Sequence, residues 1–135
     1  MYYPMRAIRT AQYKLIKNLN YRMPFSIDQD FAVSPTFQQM MNFTAAKKDI
    51  PWYKTLSQYY NRDMWELYKM DTDPKELHNL HGDSAYSRIA DQLKHQLYQW
   101  QNETSDPWIC APEGVLEDSG VYTSSPACLP IYNNV

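Results

Sequence analysis

The side chains best suited to metal binding or nucleophilic chemistry are three histidines and two cysteines: His78, His81, His95, Cys110 and Cys128. A structural zinc site usually joins two close pairs of ligands into a tetrahedral set. His78 and His81 form one close pair, and no second close pair accompanies it in the sequence. The spacing therefore predicts no metal-binding residues in this chain.

Serines and paired carboxylates make no stronger case for catalysis. No serine lies in a Gly-x-Ser-x-Gly elbow, although one sequence leaves open a Ser/His/Asp arrangement of distant residues. Helix capping and solvation explain the pairs Asp71 with Asp73 and Glu117 with Asp118. None of the glycines opens a helix after a strand, so no phosphate-cradling loop is predicted. We predict neither catalytic nor cofactor-binding residues here.

The composition argues against nucleic acid and membranes as partners. The chain has 13 basic and 15 acidic residues and a formal charge of -2, so no uniform positive field attracts polyanions. No apolar run is long enough to span a bilayer, and the amino-terminal residues lack the apolar centre of a signal peptide. Aromatic residues make up 15 % of the chain, which favours a packed domain over a disordered tail.

Two features indicate the secretory pathway. Cys110 and Cys128 lie in a stretch rich in Pro, Gly and Ser, where a disulfide would fix the chain, although two free thiols remain an alternative. The triplets that begin at Asn42 and Asn102 are acceptor sequons for glycosylation. Because no signal peptide precedes them, we expect the chain to be truncated.

The amino-terminal half predicts a hairpin and short helices. Residues 1–20 contain two β-favouring runs, which predict a β-hairpin. Residues 21–64 predict loops and short helices, one capped by Ser34 and ending near Asn42, and another starting at Pro51. The hairpin cations are expected to face solvent: Arg6, Arg9, Lys14 and Lys17. The helix aromatics are expected to pack in the core, with a sugar-stacking platform as the alternative: Trp52, Tyr59 and Tyr60.

The second half predicts one strand, one long helix and a tail. Residues 65–80 predict a strand followed by a helical turn. Asp73 is the expected cap of this turn, and the Glu76 side chain is expected to accept a hydrogen bond from the Asp73 amide. Residues 84–103 predict the longest helix, starting at Ser84, and residues 104–135 predict an irregular tail pinned by the disulfide. The apolar stripe of the helix is Ile89, Leu93, Leu97 and Trp100. We therefore predict a single α+β domain over 1–135, with a three- to four-stranded antiparallel sheet packed against that helix.

Several segments together resemble the carboxy-terminal domain of the sulfatase family. Tyr3–Thr10 and the run after it resemble the hairpin that opens this domain. Trp65–Tyr68 followed by Asp73–Leu80 resembles its signature of E-L-Y-D and then D-P-x-E-x-x-N-L. Met23–Phe31 and the tail Asp106–Glu117 are similar to the sulfatases that act on the N-sulfate of glucosamine. The stretch 120–125 departs from that pattern and looks like an insertion.

The resemblance implies the carboxy-terminal subdomain of an alkaline-phosphatase-like fold. It further implies a lysosomal, glycosylated homodimer that removes N-linked sulfate from glucosamine in heparan sulfate. The partner of this segment is then its own amino-terminal domain, which carries formylglycine and calcium and is missing here. By the same likeness Asn42 is the better glycosylation candidate, while Asn102 has only its sequon.

Cys110 could be mistaken for the sulfatase nucleophile. Sulfatases carry Cys-x-Pro-x-Arg, in which the cysteine becomes formylglycine, but Gly114 replaces the arginine here and Cys128 is an expected partner of Cys110. We therefore expect a structural, rim-forming and dimer-forming segment that is inactive alone. The alternatives are a stand-alone glycosaminoglycan- or carbohydrate-binding module and a truncated gene product without an independent role.

Overall fold

The computed structural model describes residues 3–49 and 51–131, and the chain divides between Asp83 and Ser84 into two compact units. The first unit contains three strands and three helices: β1 (Met5–Arg9), β2 (Tyr13–Asn18), α1 (Gln29–Ala32), α2 (Pro35–Ala45), α3 (Leu56–Tyr60) and β3 (Trp65–Lys69). The second contains a 3-10 turn (Ser84–Tyr86), α4 (Ser87–Glu103), β4 (Gly114–Glu117), a 3-10 turn (Gly120–Tyr122) and β5 (Ala127–Pro130). The class is α+β, as predicted.

The first unit is built on an antiparallel sheet with strand order β1-β2-β3. The β1–β2 hairpin is the one that the β-favouring runs predict, and it pairs Ile8 with Leu15. Leu15 in turn lies opposite Leu67 on β3, and both leucines are fully buried. The central strand β2 therefore carries the core of this unit.

The expectation that the hairpin cations face solvent is wrong for Lys17. Its side chain is 2 % exposed, and its ammonium nitrogen lies 5.7 Å from the centre of the Trp65 ring. Lys14 is half-buried and forms a 2.8 Å ion pair with Glu76. The physical reason is that the last four residues of the central strand, 15–18, are all buried, so neither face of this part of β2 is left to water.

Local capping sets the helix boundaries. The Ser34 hydroxyl accepts from the Phe37 amide at 3.2 Å, and α2 runs on to Ala45, beyond the predicted end near Asn42. The predicted helix start at Pro51 is wrong, because α3 begins at Leu56. Thr55 and Gln58 cap each other's backbone amides in a capping box, which makes Thr55 the stronger start signal.

An aromatic cluster packs the helices of the first unit together. The ring centres lie 5.7 Å apart for Phe25 and Tyr59, 5.2 Å for Phe31 and Phe37, and 6.5 Å for Phe37 and Tyr60. Such distances are typical of packed aromatic pairs. Tyr59 and Tyr60 therefore serve in packing, as expected, and not in an open sugar-stacking platform.

The predicted capped helical turn after β3 is wrong. The Asp73 carboxylate does accept from backbone amides, at 2.9 Å from both Leu77 and His78, but the segment forms a turn without a helix. Glu76 adopts a left-handed φ of 57°, which interrupts helical geometry. Its side chain reaches Lys14 on β2 and does not return to the Asp73 amide.

Asp73→Ala is expected to lower the free energy of unfolding by about 1 kcal/mol, because two backbone amides lose their acceptor. Burial raises the pKa of Asp73, but the amides of Leu77 and His78 outweigh it and hold the pKa below 3.8. The wild type therefore has its full stability advantage over Asp73→Ala above pH 3.8. This advantage disappears as the pH falls through the lowered pKa of the folded state. Urea denaturation at about pH 6 and about pH 3 measures the difference.

The matched control for this variant is Asp71→Ala, in the same loop, where the side chain is 51 % exposed. We expect that change to cost less than about 0.5 kcal/mol. A wild-type advantage over Asp73→Ala that stays constant down to about pH 3 would contradict the carboxylate's role as the acceptor.

In the second unit, α4 buries a different stripe from the predicted one. A 3-10 turn occupies the predicted start at Ser84, and the buried side chains of α4 are Ala90, Leu93, Leu97 and Gln101. Ile89 is half-buried and Trp100 is 48 % exposed, so the predicted stripe is wrong at both of its ends. Gln101 takes the buried place because its amide bonds to Asp106 just past the helix. Packing of α4 on the three-stranded sheet stays a prediction.

The expectation of a wholly irregular tail is wrong, since β4 and β5 form a two-stranded antiparallel sheet. The Cys110–Cys128 disulfide is present, with 5.4 Å between the two Cα atoms, and it ties β5 to the segment before β4. Residues 120–125, expected to be an insertion, form a 3-10 turn and bend between the two strands. No described helix is both long and apolar enough to cross a membrane.

Candidate functional site

Polar side chains of the first unit gather around a cavity of about 110 Å³ beside β3. Its polar lining consists of two cations, two carboxylates, a phenol and three amides: Lys54, Arg62, Asp63, Glu66, Tyr68, Gln58, Asn61 and Asn79. The residues come from the segment around α3, from β3 and from the loop after β3. This cavity is the strongest candidate site in that unit.

The centre of the site is the carboxylate of Glu66, which is only 5 % exposed. Glu66 and Tyr68 are two positions apart on β3 and therefore point to the same face of the sheet. One Glu66 oxygen accepts from the Asn18 amide at 2.6 Å, and the other accepts from the Tyr68 hydroxyl. Asn18 also donates to the Asp63 carbonyl at 2.7 Å, so the network joins β2 to the segment that enters β3.

The phenol of Tyr68 works as a donor in this network. Burial, the hydrogen bond to Glu66 and the negative charge of Glu66 together raise the pKa of Tyr68 far above its usual value of 10. The phenol therefore keeps its proton at acidic and neutral pH. It supplies a stable hydrogen bond and no general base.

Positive charge surrounds the buried carboxylate without directly bonding to it. The Lys54 ammonium lies 6.0 Å from the centre of the Tyr68 ring. The Arg62 guanidinium lies 5.0 Å from the ring centre of Phe25 and 5.8 Å from that of Tyr59. Both cations line the same cavity as Glu66. The arrangement can hold strands and loops together, but it contains no activated nucleophile.

The loop after β3 covers the edge of the sheet that β3 forms. The Asn79 side-chain oxygen accepts from the Leu67 amide at 2.9 Å, and the Leu80 amide donates to the Leu67 carbonyl at 2.8 Å. The Asn79 amide group donates to the Asp63 carboxylate at 2.9 Å. The conspicuous D-P-x-E-x-x-N-L pattern thus describes a loop that seals β3, with Asp73 and Asn79 as its anchors.

Tyr68→Phe is expected to lower the free energy of unfolding by about 2 kcal/mol, because the buried Glu66 carboxylate loses a charge-assisted hydrogen bond. Urea denaturation followed by circular dichroism measures the loss. Tyr53→Phe is the control, since the Tyr53 side chain is 67 % exposed, and we expect a change below about 0.5 kcal/mol. Equal effects from the two variants would refute a structural role for the Glu66 network.

A sequence profile of one family, described as N-sulphoglucosamine sulphohydrolase, C-terminal, matches residues 35–103. The chain belongs to this family. The match covers α2, α3, β3 and α4 and therefore includes Glu66, Tyr68 and the loop that seals β3. The resemblance to the sulfatase carboxy-terminal domain, noted from the sequence, is confirmed.

Curated relatives agree with this membership. Human N-sulphoglucosamine sulphohydrolase is 48 % identical over 135 residues, which is 100 % of this chain and 26 % of the human protein. An N-acetylglucosamine-6-O-sulfatase of Bacteroides thetaiotaomicron is 32 % identical over 54 residues, 40 % of this chain and 10 % of that protein. An ulvan-active sulfatase of Formosa agariphila is 26 % identical over 104 residues, 77 % of this chain and 18 % of that protein. The chain spans about a quarter of the length of its human relative.

The histidines singled out from the sequence lie apart from this network. His78 is 80 % exposed and lies 3.8 Å from the Asp73 carboxylate, the His81 ring stacks at 6.2 Å on Trp65, and His95 is exposed on α4. Within residues 3–49 and 51–131, no group of three His, Cys, Asp or Glu side chains is placed to hold a metal ion.

Cys110 does not fit the precursor of a formylglycine nucleophile. Its sulfur is bonded to Cys128, so no thiol is available for oxidation to the aldehyde. Gly114 stands where a sulfatase motif requires arginine, and a side chain built there would meet the Leu129 carbonyl oxygen at 2.7 Å. Cys110 therefore does not fit the nucleophile of a sulfatase.

Both sequon asparagines lie on exposed faces of helices. Asn42 is in α2, and Asn102 is in the last turn of α4, where its amide donates to the Tyr98 carbonyl at 3.0 Å. Glycosylation at either position stays a prediction.

Sequence reasoning missed the Glu66–Asn18–Tyr68 network. The alternating run Trp65–Tyr68 indicated a strand, but it gave no reason to bury a glutamate. The available signal was Asn18 at the end of a strand that contains Leu15 and Ile16, because an amide buried beside such residues requires hydrogen-bond partners.

Proposed function

We propose that this chain is the carboxy-terminal segment of an enzyme that hydrolyses the N-sulfate of glucosamine in heparan sulfate. The supporting observation is 48 % identity to human N-sulphoglucosamine sulphohydrolase along the whole chain. The segment is structural and is inactive alone. The formylglycine nucleophile and the calcium ion belong to an amino-terminal domain, which is the main partner of this segment.

The role of the segment is to stabilise that catalytic domain, form part of the rim of its substrate pocket and contribute to a homodimer. The Glu66 network and the sealed edge of β3 support a rigid scaffold, since the hydrogen bonds from Asn18 to Glu66 and from Leu67 to Asn79 join parts of the chain distant in sequence. Sulfate transfer requires a positioned nucleophile and concentrated positive charge at the leaving oxygen. The described residues offer a carboxylate-centred network instead.

Residence in the lysosome is part of the same proposal. The Cys110–Cys128 disulfide supports passage through an oxidising compartment. Exposed asparagines at positions 42 and 102 support glycosylation, with Asn42 the better candidate. The loop anchored by Asp73 is adapted to an acidic lumen, because the pKa of this carboxyl is held below its usual value and the carboxylate therefore stays ionised at lower pH.

Nothing in the described residues favours a stand-alone glycosaminoglycan-binding module. Lys17 is buried, Lys14 is paired with Glu76, and Tyr59 is part of the aromatic cluster. Three of the residues that such a module would use are therefore already engaged within the fold.

Sulfate release tests the proposal. The complete protein that carries this segment is assayed on a saccharide that ends in N-sulfoglucosamine, beside the isolated 135-residue chain at equal concentration. We expect the complete protein to release sulfate and the isolated chain to release none above buffer. Sulfate release by the isolated chain at an enzymatic rate would overturn the proposal, as would a folded complete protein without activity on this substrate.

A further inference from the structure

The loop between α2 and α3 contains the only pair of adjacent basic residues in the sequence, Lys47 and Lys48. Both side chains are exposed, and so is that of Asp49, which follows them. None of the three makes a side-chain hydrogen bond or an ion pair with a residue that the structure describes. Exposed loops with polar residues are the segments at which proteinases preferentially cut a folded chain.

The backbone of the pair is attached to the end of α2. The Lys47 amide donates to the Thr44 carbonyl at 3.1 Å, and the Lys48 amide donates to the Phe43 carbonyl at 2.9 Å. Lys47 has a left-handed φ of 52°, which is unfavourable for a residue with a β-carbon. Opening of this last turn therefore breaks two hydrogen bonds at a helix end and releases a strained residue. Such local opening allows a proteinase to bind the segment in an extended form.

The other basic residues are less accessible to a proteinase. In the loops, Lys54 and Arg62 are half-buried, Arg22 lies 5.6 Å from the ring centre of the tyrosine before it, and Lys75 lies 4.0 Å from the ring centre of Tyr53. The remaining Lys and Arg residues lie in strands or helices, where the backbone is already hydrogen-bonded. The pair is therefore the most accessible basic site in the part of the chain that the structure describes.

A cut after Lys48 leaves contacts that hold the two products together. The strand β2 lies before the cut and β3 lies after it, and Leu15 pairs with Leu67 in the fully buried centre of the sheet. The Asn18 amide bonds to Glu66 at 2.6 Å across the same cut. Rings of the aromatic cluster also come from both sides. Because the disulfide lies wholly after the cut, this association is noncovalent.

We propose that the Lys47–Lys48 pair is a processing site for a serine proteinase with a carboxylate in its specificity pocket. Such a pocket binds a basic side chain by charge complementarity. Hydrolysis breaks the bond between the Lys48 carbonyl carbon and the Asp49 nitrogen. Water gives its hydroxyl group to that carbon and a proton to that nitrogen. The products are residues 1–48, with a new carboxylate, and residues 49–135, with a new amino group, and they stay assembled through the three-stranded sheet.

Limited digestion of the full 135-residue chain with trypsin tests the proposal, with the cut located by mass spectrometry. We expect the first cut at the pair, and we expect the two products to co-elute in gel filtration and to separate in urea. The double variant Lys47→Gln/Lys48→Gln should lose this cut and keep the wild-type denaturation midpoint, because neither side chain is engaged in the fold. Arg22→Gln is the control in another exposed loop and should be cut at the pair at the wild-type rate.

The same digestion of the complete protein shows whether the pair stays accessible beside the amino-terminal domain. A first cut within this segment after either lysine, in both the 135-residue chain and the complete protein, supports the processing site. A first cut at another basic residue of the segment, unchanged cutting of the double variant, or protection of the pair in the complete protein would overturn it. Separation of the products without urea would overturn the assembled form. These results do not depend on sulfate release, so failure here and failure of the proposed function are separate outcomes.

Discussion

Leu67→Ala is expected to lower the free energy of unfolding of the first unit by about 3 kcal/mol. Leu67 is 0 % exposed and lies directly opposite Leu15, which is also 0 % exposed, at the centre of the sheet. Truncation removes buried apolar surface and leaves a cavity that β2 and β3 cannot close, because both strands are hydrogen-bonded in register. Urea denaturation followed by tryptophan fluorescence and circular dichroism gives the loss.

Met23→Ala is the control for this core prediction. Its side chain is 58 % exposed in the same unit, so a comparable truncation should cost less than about 0.5 kcal/mol. If Leu67→Ala proved as mild as Met23→Ala, the three-stranded sheet would not be the core of this unit.

Replacing both Cys110 and Cys128 by serine is expected to destabilise the second unit by about 3 kcal/mol. The disulfide closes a loop between residues 18 positions apart, and removing the link enlarges the conformational freedom of the unfolded chain. The hairpin β4–β5 has only four residues in each strand and depends on this link for its alignment. Urea denaturation under oxidising conditions measures the loss.

A reducing agent provides the control for the disulfide. Reduced wild type should match the double serine variant in stability, whereas the variant should not respond to the reductant. A wild type that keeps its full stability after complete reduction would contradict the stabilising role of the disulfide.

Periodic elements of this fold could be predicted because their signals are local. The hairpin, β3 and the long helix follow from runs of alternating or helically spaced apolar residues. The cap at Ser34 follows in the same way, since a hydroxyl followed by proline is a strong helix start. In each case the residues that decide the structure are near neighbours in the chain.

Burial of charged residues could not be predicted, because it depends on distant partners. Lys17 and Glu66 each occupy a strand position whose residue type predicts a solvent-facing side chain, but consecutive residues of β2 and of β3 are buried. Glu66 finds its partner Asn18 48 positions away, and Lys14 finds Glu76 62 positions away. No local pattern encodes such pairs, and the candidate site is made of them.

Weak strand signals explain the errors in the second unit. β4 and β5 are short and contain Gly, Glu, Ala and Pro, which lower their strand propensity, and tertiary pairing overrides that propensity. In α4, the helical spacing of apolar residues predicts that Trp100 is buried, but Gln101 is buried instead. Gln101 is buried because Asp106 supplies a hydrogen-bond partner, and that partner lies beyond the helix.

A segment exchange with the human relative tests the central claim most directly. The part of human N-sulphoglucosamine sulphohydrolase that aligns with this chain is replaced by the 135 residues, and sulfate release from N-sulfoglucosamine is measured beside the unmodified human protein and a version without the segment. We predict a folded chimera that releases sulfate at a rate comparable with the human protein, and no activity without the segment. A folded chimera without activity, or full activity without the segment, would contradict the account.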